Sequence, residues 1–558
     1  MLEALRYHLT VQGISLDLIF LAGVILAWFA PRLGDGPFAA IETAAAALAR
    51  RKTIAIVSVG LLTIVLRLSL LWLMPVPVPR THDEFSYLLA ADTFVHGRVT
   101  NPPHPMALYL DTIHVNQQPT YMSKYPPAQG AVLAIGQELG NPWIGVVLSA
   151  AAMCAAVVWM LQAWVPAPWA LLGGVLVILR LGVFSYWMNS YWGGAVPAIG
   201  GALVLGVLPR IVRSCRPRYA VLMGTGLALL MHSRPLEGLF FSLPVAVFLF
   251  LWLQREGAPG RAVAMRRFVL PLVTVSLLSA GFFCYYNWRG TGHPLLPPYL
   301  VNERAYVSTP TLLWQAARPP MHYQNPQFEA FYNGWIREQW MQGRSDSFLH
   351  LARHFGLDVM KYVNTLLWPE LCLPLLAIWW MWRDRSVPFL MALVSFCFFG
   401  FLVVAWFQPH YAAPILASLF ALLVQGMRHL RRWECSGRPV GIGLTRAMVA
   451  FAVMLAPFHP HSADLGRHAP SGIEFRPLIQ EQLDAMPGMH LVIVRYTSGH
   501  DALMEWVYNG ADIDHSRVVW ARGIPGADLK PLLDYFRGRR VWLVEADASP
   551  PRLTAYAE

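Results

Sequence analysis

The sequence predicts an all-α polytopic membrane protein of about 12 transmembrane helices, followed by a small C-terminal α/β extracytoplasmic domain. Three observations predict it. Of 558 residues, 56% are hydrophobic and only 13% charged, against about 25% charged in an ordinary soluble domain. Mean hydropathy is +0.43. The apolar residues gather in runs of about 15–23, close to the length that crosses a bilayer core, and the basic residues gather in alternate loops between those runs.

The spans read as 14–30, 53–74, 141–163, 167–184, 193–209, 219–232, 237–253, 268–286, 366–382, 387–406, 411–425 and 445–458. Residues 219–253 read either as two spans broken at His232-Ser233-Arg234-Pro235 or as a kinked pair. Arg50, Arg51 and Lys52 precede the second span, and Arg210, Arg213, Arg216 and Arg218 follow the fifth. Arg255, Arg261, Arg266 and Arg267 follow the seventh, Arg383 and Arg385 the ninth, and Arg428, Arg431, Arg432 and Arg438 the eleventh. The positive-inside rule puts these loops in the cytoplasm. Three larger segments then lie outside: 75–140, 287–365 and 459–558. Residues 1–52 form a first span and cytoplasmic loop, and 53–458 the membrane core. The N-terminus does not read as a cleavable signal, because more spans follow Pro31 and Arg32.

The tail changes character. His490–Tyr496, Val518–Trp520 and Arg540–Glu545 read as strands and Leu529–Arg537 as a helix, an alternating α/β pattern. Six scattered cysteines show no CxxC spacing, so no zinc or redox signature arises. The net charge of +11 does not point to nucleic acid, because it sits in short anchoring clusters between spans. No GxxxxGK[ST] or HExxH segment is present, which argues against an ATP-driven pump and a zincin protease.

The candidate chemistry begins at Thr81-His82-Asp83-Glu84-Phe85-Ser86-Tyr87. A span ends near Met74, and Pro75, Pro77 and Pro79 stop its helix. Asp83 or Glu84 could cap the helix that starts at Phe85. Alternatively, a carboxylate in a partly desolvated cleft at the membrane surface can act as a general base. Lys124 is the single lysine of the loop 75–140 and stands beside Tyr125-Pro126-Pro127. It could hold a phosphate leaving group or snorkel to the headgroups. Arg180 near the end of the fourth span, and Arg234 with Glu237 flanking Pro235, are membrane-embedded charges that face a cavity or a partner. Arg234 and Glu237 could simply pair with each other. His410-Tyr411 opens the eleventh span and fits either a site or the aromatic belt. Asn189, Tyr191 and Trp192 share that ambiguity.

The acidic pair Asp83-Glu84 after an early span, Tyr87 soon after it, Tyr125-Pro126-Pro127 closing the loop and Arg234-Pro235 after a middle span together resemble the GT-C superfamily of membrane glycosyltransferases. The likeness is to the branch holding the dolichyl-phosphate-mannose-protein mannosyltransferases and the lipid A aminoarabinose transferases. It covers roughly residues 50–430. The resemblance implies a multi-pass protein of the bacterial inner membrane with an extracytoplasmic active site. It implies transfer of a sugar, with inversion, from a polyprenyl-phosphate donor to a hydroxyl of a lipid, glycan or protein acceptor. Asp83 then matches the catalytic base, with Glu84 as its neighbour. Lys124, Arg234 and Arg180 match donor-phosphate contacts, and His82, Tyr87, Tyr125, His410 and Tyr411 are candidates for substrate contact. No cofactor is prescribed; Asp83, Glu84 and His82 could hold a divalent metal, though no motif indicates one. The chain departs from the family in its extra span 14–30. The rival readings are a lipid or solute transporter, disfavoured by the lack of an internal repeat, and a non-catalytic assembly protein.

Overall fold

Helix starts in this chain are written largely by proline. Pro142, Pro217, Pro235 and Pro298 each occupy the first turn of a helix, where a missing N–H costs nothing. The computed structural model describes residues 11–312, 314–343, 347–384, 386–401, 404–405, 408–458 and 472–556. Within them, six helices are long and apolar enough to cross a membrane: Lys52–Ser69, Pro142–Trp164, Ala195–Arg213, Pro235–Leu253, Arg261–Thr291 and Pro409–Leu430. Four shorter apolar helices join them: Leu16–Phe29, Ala167–Val183, Ser386–Phe401 and Val440–Met454.

The expected count of about 12 spans is therefore not reproduced. Residues 217–233 do form a helix, but one carrying Arg218 and His232 at its ends. Residues 366–382 do not form a continuous α-helix. Pro369 and Pro374 deny it backbone donors, and it folds as the 3-10 segment Pro369–Ala377 followed by a short helix Ile378–Met381. The loop before the second span is also more ordered than expected, since Asp35–Arg50 is a helix tied to the core by Arg446 on Asp35 and Glu42 and by Arg431 on Glu42. Arg385, Phe407 and residues 459–471 of the tail lie outside the described residues.

The buried centre is built on Pro142–Trp164, which packs against Lys52–Ser69 and Ala195–Arg213. Close approach here needs glycine: a Cβ at Gly145 would collide with the carbonyl of Val132, so the helices Pro127–Glu138 and Pro142–Trp164 touch backbone to backbone.

The segment 75–140 is not an open loop. It holds the helix His82–Val95, termed here the site helix, then a two-stranded ribbon of β1 (Val115–Asn116) and β2 (Met122–Ser123), then the helix Pro127–Glu138. The tail folds around a four-stranded sheet with β3 (His490–Arg495) at its centre, parallel to β4 (Val518–Arg522) and β5 (Arg540–Glu545). An unforeseen β6 (Arg552–Ala555) adds antiparallel to β5. The helices Phe475–Ala485 and Lys530–Tyr535 complete it.

The site helix is pinned between the membrane core and this sheet. Tyr87 and Ala91 bury against Trp143, Val147 and Tyr191 of the core. Phe85 stacks on Tyr508 at 3.6 Å and enters the cluster of Val492, Trp506 and Trp520, while Leu89 joins Val519, Ala521 and Leu532. Each such buried side chain stabilises by about 1.5–3 kcal/mol, so the position of the site helix depends on both bodies.

Candidate active site

The first turn of the site helix divides its two carboxylates. Thr81 is the N-cap and Glu84 the third helical residue, a capping box. The Glu84 Oε1 accepts from the backbone N–H of Arg80 at 3.0 Å and of Thr81 at 3.2 Å, and Oε2 accepts from the N–H of Tyr191 at 3.0 Å. Burial pushes the Glu84 carboxyl up, and these backbone donors pull it back. Glu84 is thus spent on closing the helix and tying it to the turn before Ala195–Arg213. One residue earlier, Asp83 points the other way. Its Oδ1 accepts from the Tyr125 hydroxyl. Among the described residues, its Oδ2 accepts no hydrogen bond.

Around Asp83 the chain gathers side chains from far along its length. Tyr125 stacks on Tyr87 with ring centroids 4.5 Å apart. Lys124 lies 5.1 Å from the Tyr125 ring centre and 5.2 Å from that of Tyr299, and makes no salt bridge among the described residues. Burial lowers the Lys124 ammonium to about 8, while Asp83 and Glu303 hold it up and Arg234 opposes them. Arg234 lies over the Tyr411 ring at 4.2 Å, with Glu237 at 4.0 Å. Arg234 also lies within electrostatic reach of Tyr87 and Tyr125. One neighbourhood therefore gathers a carboxylate with an open oxygen, two cations and several tyrosines. Such a set can hold an anion and receive a proton beside it.

Not every expected residue comes here. Arg180 bonds the Asn364 carbonyl and stacks on Trp368 at 5.3 Å, with Glu370 and Cys372 as its titratable neighbours. It belongs to the wall formed by 364–372 and does not reach Asp83. His82 turns towards the C-terminal sheet, where its Nε2 meets the Ala502 carbonyl at 2.6 Å. Burial lowers the His82 imidazole below its ordinary value. His410 is turned to other partners, with its Nδ1 at 3.1 Å from the Tyr186 hydroxyl and its ring 4.8 Å from Trp192. Only Tyr411 of that pair lies against Arg234. Among the described residues, no group of three or more His, Cys, Asp or Glu is arranged to hold a metal ion.

Four residues at the site were not singled out by the sequence. His114, Tyr299 and Glu303 carry no local signal. Arg67 did: a fully buried arginine inside the second span is a flag in itself. It holds Asn189 and the Pro75 carbonyl at 3.0 and 3.1 Å and lies under Trp143, so it anchors the turn that leads into the site helix.

No family model matches the sequence, and no curated protein does. Among solved structures, the chain is similar to ArnT from Cupriavidus metallidurans in the apo state, at 16% identity and a TM-score of 0.47 over 89% of this chain and 93% of that one. It is similar to the same protein bound to undecaprenyl phosphate at 14% identity and a TM-score of 0.46, over 88% and 92%. The Archaeoglobus fulgidus oligosaccharyltransferase in complex with Zn and sulfate follows at 11% identity and a TM-score of 0.46, over 88% of this chain and 67% of that one. At this level the likeness concerns the course of the chain, and the chemistry rests on the residues described above.

Proposed function

We propose that this chain is a membrane glycosyltransferase that moves a sugar from a polyprenyl-phosphate donor to a hydroxyl acceptor on the extracytoplasmic face. The observation that supports the reading is that Asp83, with one oxygen held and the other open, lies within electrostatic reach of Lys124, which in turn lies within reach of Arg234. The basic loops on the opposite side support the orientation.

In this reading Asp83 Oδ2 takes the proton of the acceptor hydroxyl as its oxygen attacks the anomeric carbon. The bond from that carbon to the phosphate oxygen breaks, and the electron pair leaves with the phosphate. Attack opposite the leaving group inverts the anomeric centre. Lys124 and Arg234 hold the phosphate and absorb the charge that develops on it. Positioning and charge stabilisation lower the barrier, so no nucleotide is needed. Asp83 was expected as the base with Glu84 as its neighbour, and the capping geometry of Glu84 favours assigning the base to Asp83 alone.

The test is to incubate purified protein with labelled undecaprenyl-phosphate hexose and pentose probes and to measure released undecaprenyl phosphate. Release that is lost in Asp83→Asn is the expected result. Movement of intact probe between leaflets without release would instead identify a transporter.

A further inference from the structure

Tyr125 has one hydroxyl proton, and it is donated to Asp83. The Tyr125 oxygen is then an acceptor, and 3.2 Å from it stands Nδ1 of His114. The direct distance from that nitrogen to Asp83 Oδ1 is 3.6 Å, too long for a hydrogen bond. Burial pushes the His114 ring well below its ordinary range, with Lys124 and His82 adding to the effect, so it is neutral and carries one N–H. Geometry puts that hydrogen on Nδ1, because only a donor can face the Tyr125 oxygen. The result is a one-way chain from His114 Nδ1–H to Tyr125 Oη–H to Asp83 Oδ1.

The backbone is bent to build it. His114 adopts φ +68°, a left-handed conformation that costs a non-glycine residue about 1–2 kcal/mol. Its carbonyl is held by the Ser86 hydroxyl at 2.7 Å and the Lys124 N–H at 3.3 Å. Its ring lies edge-on to Phe331, Tyr125 and His82 at 5.5, 5.9 and 6.0 Å. Strain sustained by that many supports marks a place where side-chain direction matters.

We propose that His114 is a positioning residue: through Tyr125 it fixes the rotamer of Asp83 and keeps Oδ2 aimed at the acceptor hydroxyl. This rests on the reading of Asp83 as base. The other ionisable groups facing Asp83 are Lys124, His82, Tyr87 and Tyr411, and none of them donates to Oδ1.

The experiment compares His114→Leu, His114→Asn and Tyr125→Phe in the full-length protein with the same labelled undecaprenyl-phosphate probes. Leucine removes the donor. Asparagine presents an amide N–H close to where Nδ1 stood and tolerates left-handed φ. The expected result is a fall in kcat of about tenfold to a hundredfold for His114→Leu and for Tyr125→Phe. KM for the donor should stay within about threefold, the acidic limb of the pH–rate profile should move to higher pH, and His114→Asn should recover most of the rate. Tyr125→Phe combined with His114→Leu should be no worse than either alone. Equal loss in the Leu and Asn variants, or a kcat unchanged by His114→Leu, overturns the proposal. A second arm needs no turnover: a cryo-EM structure of His114→Leu should show the Asp83 side chain swung off Tyr125, and an unmoved Asp83 also overturns it. Normal probe release in Asp83→Asn would sink the base reading instead, while the cryo-EM arm still decides whether His114 holds Asp83.

Discussion

Two charged clusters flank the site helix, and they are built on opposite rules. On the sheet side, Glu505 and Arg522 pair at 2.7 Å with side chains 1% exposed. Glu505 also accepts from the Tyr496 hydroxyl at 2.6 Å and the Val507 N–H at 2.8 Å, and Arg522 reaches the Asp111 carbonyl at 2.9 Å. Burial raises the Glu505 carboxyl, Arg522, His82 and Tyr496 together outweigh it, and the net shift is downward. On the core side, Lys124 and Asp83 are held near each other without a salt bridge, and Arg234 meets Glu237 only at 4.0 Å. A carboxylate and a guanidinium in direct contact spend most of their charge on each other. Partly buried charges kept apart remain available to a ligand, at a cost that the rest of the fold must offset. The first cluster docks the sheet, and the second is the place for chemistry.

That contrast can be broken experimentally. The largest expected effect is Asp83→Asn, which should lower transfer by about 10²–10⁴-fold and leave the melting temperature within a few degrees; a large loss of thermal stability would place Asp83 with the structural cluster. Next is Arg522→Met. It strands a buried Glu505 and should cost about 3–5 kcal/mol, read as a lower unfolding midpoint and faster proteolysis of the tail. An unchanged midpoint would mean that the pair does not dock the sheet. Lys124→Met should raise the donor KM about tenfold at pH 7, since one charge-assisted contact to phosphate is lost. In the unmodified protein the Lys124 ammonium loses its proton as pH rises through about 8, so donor KM should climb above that pH and stay level in the methionine variant.

Smaller effects sharpen the comparison. Glu84→Gln weakens a cap and three backbone contacts, and should cost about 1–2 kcal/mol with kcat nearly unchanged. A collapse of kcat at full stability would return Glu84 to the chemistry. Asp111 tests the sheet side by pH, because its carboxyl is pushed up to about 7 by burial, with Arg522 opposing. Its folded-state value lies above its unfolded one. The folded state therefore binds the proton more tightly, and this contribution to stability is present in acid and lost as pH rises from about 4 to about 7. Asp111→Asn should flatten the fall of unfolding midpoint over that window.

How legible the site was depends on the distance over which each feature is decided. Thr81-x-x-Glu84 is a capping box written within one turn, and Glu84 takes that role. The strands of the tail were legible from their apolar runs at 490–495 and 540–545. β6 escaped because Arg552-Leu-Thr-Ala555 is an exposed edge with no such run. The span at 366–382 misled because hydropathy counts apolar residues and ignores the donors that Pro369 and Pro374 remove.

The sequence by itself determined where most of the apolar helices run and that an acid stands in the first turn of the helix that follows Lys52–Ser69. These are local properties, set by composition, capping and i to i+4 neighbours. Only the tertiary structure decided which charges meet. Arg234 and Arg180 look alike as membrane-embedded arginines, yet one lies on Tyr411 within electrostatic reach of Lys124 and the other on Trp368. His114 has no local mark, and it becomes the support of Tyr125 and Asp83 only because the β1–β2 ribbon folds it back onto the site helix. Contacts between residues tens to hundreds of positions apart are set by how helices pack, and no periodicity along the chain encodes them.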